Sequence, residues 1–205
     1  MNKPVDMALG ERWQQLAKIA SLVDAETLGI ELLGRWREPH RRYHDAAHLA
    51  QVLDVLDLLE AGPALQLAAW FHDAIYSPPR RDNELRSAAL ARLRLRSAGL
   101  SRNALELVVH AVLATATHHA VDTAIAPLID ADLAIFGADP ATYKRYADAI
   151  RDEYAFVPDE SFRSARAVFL RVMLDRPSVF LTPIARARFE FQARQNLREE
   201  LATLT

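Results

Sequence analysis

The sequence predicts an all-α protein, and three of its features support this prediction. Only 6 of the 205 residues are glycine, and runs of β-branched residues are scarce. Alanine, leucine, arginine and glutamate, which favour helices, recur along the whole chain. Apolar residues return at intervals of three and four, which is the period of an amphipathic helix. We therefore expect a helical bundle around an apolar core.

Ten helices are expected, each delimited by capping or helix-breaking residues. The predicted spans, in chain order, are residues 8–22, 24–36, 43–60, 64–75, 82–97, 101–117, 127–137, 139–156, 158–175 and 184–202. In the first helix, Trp13, Leu16, Ile19 and Ala20 fall on one face. Asp24 is the expected N-cap of the second helix.

Proline and glycine mark the remaining boundaries of the first half. Glu38-Pro39 ends the second helix, because the residue before a proline disfavours the helical conformation. Gly62-Pro63 separates the third helix from the fourth, and Asp82 is the expected N-cap of the fifth. Gly99 is expected to stop the fifth helix.

The second half follows the same rules. Ser101 is the expected N-cap of the sixth helix, and Pro127 suits the first turn of the seventh, which ends at Gly137. Asp139-Pro140 opens the eighth helix and Pro158 the ninth. Arg176-Pro177 precedes the last.

Length and composition restrict the class of protein. A chain of 205 residues predicts a single domain over residues 1–205. The formal net charge of −2 argues against nucleic acid as a partner. The first residues lack the apolar segment of a signal peptide. No stretch reaches the ~18 uninterrupted apolar residues that a membrane-spanning helix needs. We expect a cytoplasmic protein with no membrane partner.

The absence of cysteine limits the metals that the chain can bind. With no thiolate available, any metal site must consist of His, Asp and Glu. These ligands suit Mn, Fe, Co, Ni, Zn or Mg rather than Cu(I) or an iron–sulfur cluster.

The most informative stretch is residues 67–76, in which an apolar helix ends in His72-Asp73. Buried polar groups need partners. The pair is therefore either a hydrogen-bonded core histidine beside a capping aspartate or part of a metal site. Adjacent helical residues point about 100° apart, so both can reach one ion only near a helix end or from a wide cavity.

Three further segments contain residues of the same kind. His44 and His48 are four residues apart and are expected to share one face of the third helix. His118 follows the apolar part of the sixth helix. Asp130 and Asp132 lie within an apolar segment, where two carboxylates are costly to bury unpaired. Capping would explain Asp130 but not both.

The order His48, His72-Asp73, Asp132 resembles the H…HD…D signature of the HD superfamily of metal-dependent phosphohydrolases. Longer segments resemble a subgroup known only as predicted HD-domain phosphohydrolases: Arg42-Tyr43-His44-Asp45-Ala46-Ala47-His48, Phe71-His72-Asp73-Ala74-Ile75-Tyr76, Asp82-Asn83-Glu84 and Asp130-Ala131-Asp132-Leu133. The resemblance implies an HD-type helical bundle with a motif-bearing core over about residues 42–137 and extra flanking helices.

The resemblance also implies a catalytic metal. His48, His72, Asp73 and Asp132 would be its ligands, leaving coordination positions open for water and substrate. The implied reaction is the cleavage of a phosphoester of a small phosphorylated metabolite or nucleotide by water that the metal activates.

Other positions have two interpretations each. His44, His118, His110 and Asp130 are candidates either for binding a second metal or for supporting the ligands of the first. His44 is also a candidate for contacting phosphate. Glu84 is either a general acid or base or a carboxylate that favours the helix dipole. Some HD nucleotidases carry a catalytic carboxylate where this chain has Tyr76. This difference argues against a nucleotidase of that kind.

Four arginines flank the metal motifs, and their guanidinium groups match phosphate geometry. Arg41, Arg42, Arg80 and Arg81 are therefore candidates for binding the substrate phosphate, or else solvated surface charges. Two other functions stay open. One is an HD-fold di-iron oxygenase, which needs His118 and a further histidine as ligands. The other is a non-catalytic regulatory module that senses a nucleotide.

Overall fold

The computed structural model describes residues 3–119 and 122–204 and confirms the all-α fold; no strand occurs in these ranges. The first six helices are α1 (Lys3–Ile19), α2 (Ala25–Trp36), α3 (Ala46–Leu58), α4 (Pro63–Phe71), α5 (Asn83–Ser97) and α6 (Arg102–Ala114). They are followed by α7 (Ala126–Leu133), a 3₁₀ helix (Ala134–Gly137), α8 (Pro140–Glu153), α9 (Asp159–Asp175) and α10 (Pro183–Leu204). None of the helices described combines the length and the apolar character needed to cross a bilayer.

Several helix ends differ from the prediction, and three of them lie at the motifs. α3 begins at Ala46 rather than at residue 43, because Asp45 is extended and its carboxylate accepts hydrogen bonds from the N–H groups of Ala47 and His48. α4 ends at Phe71, so that His72 and Asp73 lie in the turn that follows it. α6 ends at Ala114, before His118. The candidate residues thus lie near helix ends, with His48 in the first turn of α3 and Asp132 in the last turn of α7.

The predicted caps are confirmed in part. Ser101 accepts a hydrogen bond from the N–H of Ala104, and Asp139 accepts from those of Ala141 and Thr142. Asp24 precedes α2 in the left-handed conformation and makes no capping hydrogen bond through its side chain. The side chain of Asp82 does not cap α5 either, because its carboxylate binds Arg80 instead.

Two apolar clusters form the core. The first contains α4, whose residues Leu67 to Phe71 are fully buried, together with buried side chains of α1 to α3, α5 and α6. The second joins the 3₁₀ helix to α8, α9 and α10. Helix α7 belongs to both, because Leu128 packs in the first cluster and Leu133 in the second. This places Asp132 where the two clusters meet.

Candidate metal centre

Four side chains from three parts of the chain converge at this boundary. His48 Nε2 lies 3.2 Å from His72 Nε2 and 3.2 Å from Asp132 Oδ1. His72 Nε2 lies 3.3 Å from Asp73 Oδ2 and 3.7 Å from Asp132 Oδ1. The histidine side chains are 1% exposed and those of the aspartates 11%. The structure thus brings together all four residues that the HD resemblance assigns to the metal.

The spacing of these atoms fits a divalent cation. Metal–nitrogen and metal–oxygen bonds of about 2.0–2.2 Å, at angles of about 90–110°, place neighbouring ligand atoms roughly 2.8–3.6 Å apart. Three of the four distances fall in this range and the fourth is 3.7 Å. His48, His72 and Asp73 form a buried group that could hold a metal ion.

Hydrogen bonding prepares His72 to act as a ligand. Its Nδ1 lies 2.7 Å from the carbonyl oxygen of Ala69, one turn back in α4, and can only donate to that acceptor. The proton is therefore on Nδ1 and the lone pair of Nε2 faces the cluster. Burial lowers the pKa of His48 and outweighs its hydrogen bond with Asp132, which favours the neutral ring that a metal requires.

The other oxygen of Asp132 contacts a further histidine. Oδ2 lies 3.2 Å from His118 Nε2. Burial alone would raise the pKa of Asp132, but hydrogen bonds with His118 and His48 hold it well below its usual value. Asp132 therefore links His118 to the cluster as a carboxylate.

The backbone at His118 adopts the left-handed conformation, with φ of 48°, and Arg176 holds it there. The guanidinium of Arg176 donates hydrogen bonds to the carbonyl oxygens of His118, at 2.7 Å, and Thr117, at 3.2 Å. A residue far along the chain thus fixes the position of the histidine.

Arg41 has a structural role, because its side chain is buried and binds other parts of the chain. Its guanidinium is fully buried and donates to the carboxylate of Glu38 and to the carbonyl oxygens of His44, Asp73 and Ala74. These contacts occupy its donors. They also tie the segment before α3 to the turn after α4. The structure therefore explains Arg41 as a support for both metal motifs rather than as a phosphate contact.

The other three arginines remain at the surface. Arg80 forms an ion pair with Asp82, at 2.6 Å. Arg42 donates to the carbonyl oxygen of Pro39, at 3.2 Å. Arg81 is exposed and makes no hydrogen bond or ion pair with the residues described. Arg42 and Arg81 therefore have the most donors left for a phosphate.

His44 and His48 do not share a helical face, because His44 precedes the N-cap of α3. His44 is instead held by Glu153, at the end of α8. Its Nδ1 lies 2.6 Å from Glu153 Oε2, which also accepts a hydrogen bond from the Tyr76 hydroxyl, at 2.9 Å. The other carboxylate oxygen, Oε1, accepts from the N–H groups of Arg42, Tyr43 and His44.

The pKa values reflect this network. Burial opposes both charges, but the hydrogen bond and the mutual attraction outweigh it, lowering the pKa of Glu153 and raising that of His44.

Sequence reasoning did not identify Glu153. A signal was present: the buried face of α8 is Tyr143, Tyr146, Ile150 and Glu153, at spacings of three, four and three. A carboxylate on an otherwise apolar helical face needs a buried partner.

Asp130 lies outside the cluster, because residues two apart on a helix point in nearly opposite directions. Its two carboxylate oxygens accept hydrogen bonds from the N–H groups of Leu181 and Thr182, both at 2.7 Å, just before α10. These contacts explain Asp130 as a support for the start of α10 rather than as a second metal ligand.

Replacing Asp130 with asparagine should lower the free energy of unfolding by about 1–3 kcal/mol, because one buried N–H loses its acceptor. Metal content should not change. Chemical denaturation and metal analysis check this, with Asp148→Asn, at an exposed position of α8, as the matched control. Loss of metal without loss of stability would instead assign Asp130 to the metal centre.

His110 and Glu84 are not drawn into the cluster. The side chain of His110 is 56% exposed and its ring lies 4.0 Å from the carboxylate of Asp122. Glu84 is in the first turn of α5. Its role as an acid or base stays a prediction.

A cavity of about 430 Å³ lies directly beside the cluster. His44, His118 and Asp132 line one end. The rest is lined by aromatic and aliphatic side chains from α7, the 3₁₀ helix, α8 and α9, among them Leu133, Phe136, Ile150, Phe162 and Phe169. The candidate metal centre therefore has an adjacent space of the size that small-molecule sites occupy, about 300–1,000 Å³.

Comparisons of this chain with protein-family models, with curated proteins and with solved structures find no match.

Proposed function

We propose that this protein is a metal-dependent phosphohydrolase that cleaves a phosphoester of a small phosphorylated metabolite or nucleotide. The observation that carries the proposal is the convergence of His48, His72, Asp73 and Asp132 beside a cavity that Asp132 lines. Two nitrogens and two oxygens do not complete the coordination of a six-coordinate ion, and open positions distinguish catalytic from structural sites.

The metal would supply the chemistry that these side chains lack: when bound, it polarises a phosphoryl oxygen and lowers the pKa of water. The chain holds the ligands in place before binding. The Ala69 carbonyl fixes the tautomer of His72, and Arg41 fixes the backbone of Asp73. His118 holds Asp132 from the opposite side.

His44 is suited to bind and protonate the substrate. Glu153 engages its Nδ1 and favours its protonated form. The ring lines the cavity, so Nε2 is the nitrogen left to contact the ester. A protonated imidazole there can neutralise a phosphoryl oxygen and give its proton to the departing alcohol. Arg42 and Arg81 are the candidates for binding phosphate at the surface.

One observation supports a second candidate, an HD-fold di-iron oxygenase. The two oxygens of Asp132 face different histidines, with Oδ1 near His48 and His72 and Oδ2 near His118. A carboxylate placed in this way can bridge two ions. Counting the metal ions bound per chain separates the two candidates, since the oxygenase requires two iron ions.

The proposal is tested by removing metal with a chelator, reloading with Mn, Co, Mg, Ni, Zn or Fe, and assaying a panel of phosphomonoesters. We expect hydrolysis of at least one ester that the chelator abolishes and reloading restores. If no ester is hydrolysed with any of these metals, the phosphohydrolase proposal is wrong.

A further inference from the structure

The cavity beside the cluster has two chemically different ends. Its polar end consists of His44, His118 and Asp132, and the remainder is mainly aromatic and aliphatic. A bound phosphoester would therefore have its phosphoryl group beside the metal ligands. The alcohol part of the same molecule would extend among the apolar side chains.

Arg166 lines this cavity and directs three of its five donors to other side chains. Arg166 binds the carboxylate of Glu200 through two nitrogens, at 2.8 and 3.0 Å, and donates to the Tyr146 hydroxyl, at 3.1 Å. Its guanidinium also lies over the rings of Tyr146 and Phe169. Hydroxyl groups of a sugar would lose their hydration in this part of the cavity and gain few partners among its mainly apolar side chains.

One of the tyrosines that line the cavity has an unpartnered polar atom. The hydroxyl oxygen of Tyr43 is buried and has no hydrogen-bond partner among the residues described. Tyr43 lines the cavity, and its ring packs against those of His48 and Tyr146. The hydroxyl group can donate a hydrogen bond. An ester oxygen next to the phosphoryl group would provide the missing acceptor.

From these observations we propose that the cavity binds the apolar or aromatic body of the alcohol that the phosphate esterifies. The inference rests on the proposed phosphohydrolase function and adds the class of substrate: phosphomonoesters of apolar alcohols rather than of sugars. In the reaction, the P–O bond to the alcohol breaks, water forms the new P–O bond, and the alcohol leaves with a proton.

Two esters of primary alcohols test the inference, since their leaving groups have similar reactivity. We expect kcat/KM for 2-phenylethyl phosphate to exceed that for glucose 6-phosphate by at least about tenfold, because burial of even small apolar groups discriminates by about 10–200-fold. Similar values for both esters, or a preference for the sugar phosphate, would contradict the inference.

A variant that fills the cavity tests its location. Ala165 lines the cavity from an exposed position of α9, so Ala165→Trp should insert an indole without removing a core side chain. It should reduce the ratio of kcat/KM for 2-phenylethyl phosphate to that for ethyl phosphate by about tenfold or more. Ala187→Trp, the same substitution at an exposed position of α10 outside the cavity, should leave the ratio unchanged. An unchanged ratio in Ala165→Trp would contradict the assignment.

Binding of the product alcohol separates a failure of this inference from a failure of the proposed function. Ligand-detected NMR measures 2-phenylethanol binding without any turnover. If no ester is hydrolysed, the proposed function is wrong, but binding that Ala165→Trp abolishes and Ala187→Trp preserves would still support the apolar subsite. Absence of binding to the unsubstituted protein would contradict it.

Discussion

The Asp73→Asn variant should lose most of its bound metal and its phosphoester hydrolysis but remain folded. The amide has the shape of the carboxylate but lacks the charge that a divalent cation requires. Mutation of residues that only support metal ligands already lowers metal affinity or activity by typically 10–100-fold. We therefore expect a loss of more than about 100-fold in metal affinity and in kcat/KM. Metal analysis and steady-state kinetics measure the two effects.

The position of Asp73 favours a folded variant. Its backbone carbonyl is held by Arg41, and the turn that follows is held by Ser87 of α5, which bonds the N–H and carbonyl of Ile75. None of these bonds uses the Asp73 carboxylate. Asp148→Asn, which removes a surface ion pair with Lys144, is the matched control and should retain metal and turnover.

Two outcomes would contradict this interpretation. Normal metal content in Asp73→Asn would show that the carboxylate is not a ligand. If the unsubstituted protein has no activity and its melting temperature falls in step with metal removal, the metal is structural. That result would favour the non-catalytic regulatory module.

Glu153→Gln should lower the free energy of unfolding by about 2–4 kcal/mol, because hydrogen bonds to buried charged groups are worth more than neutral ones and an unpaired buried partner adds to the cost. The buried carboxylate accepts three backbone N–H groups, the Tyr76 hydroxyl and His44. Glutamine retains only one acceptor oxygen. Its amide N–H group would face donors that the second carboxylate oxygen accepts in the unsubstituted protein. Chemical denaturation measures the difference. Glu199→Gln, at an exposed position of α10, should change stability by less than about 0.5 kcal/mol.

The difference between the unsubstituted protein and Glu153→Gln should depend on pH. The pKa of Glu153 is lowered in the folded state, so its contribution is present above the unfolded value of about 4.3 and is lost as pH falls. The pKa of His44 is raised, so its contribution is present below about 6.5 and is lost as pH rises through the raised value. The difference should be widest between about pH 4.3 and 6.5. A difference that is constant from pH 3 to 9 would show that the charges do not contribute.

The sequence was sufficient to predict the helices and to name four candidate metal ligands that lie together in the structure. Helix propensity and apolar periodicity are local properties, so ten helices could be located from the chain alone. The helix stop at Gly99, which has φ of 84°, the cap at Ser101 and the helix start at Asp139-Pro140 were predicted for the same reason. His48, His72, Asp73 and Asp132 were named from their order, and the structure places them together.

The exact positions of the helix ends determine the directions of the candidate side chains, and the sequence did not indicate these positions closely enough. His72 and Asp73 reach one point because α4 ends at Phe71, and His44 leaves the face of His48 because Asp45 caps α3. A shift of one or two residues at a helix end changes side-chain direction by 100° or more. Local patterns locate such ends only approximately.

The sequence by itself determined the secondary structure and the residue types available to bind a metal, because these depend on neighbours within a few positions. Only the tertiary structure decided what surrounds them. In the folded protein Arg41 and Asp130 support neighbouring segments, and Glu153 holds His44. An apolar cavity lies between α7, α8 and α9 beside the cluster. The physical reason is that a buried charge or cavity is defined by groups more than 50 or 100 positions away in the chain, as Asp130 with Leu181 and His44 with Glu153 demonstrate.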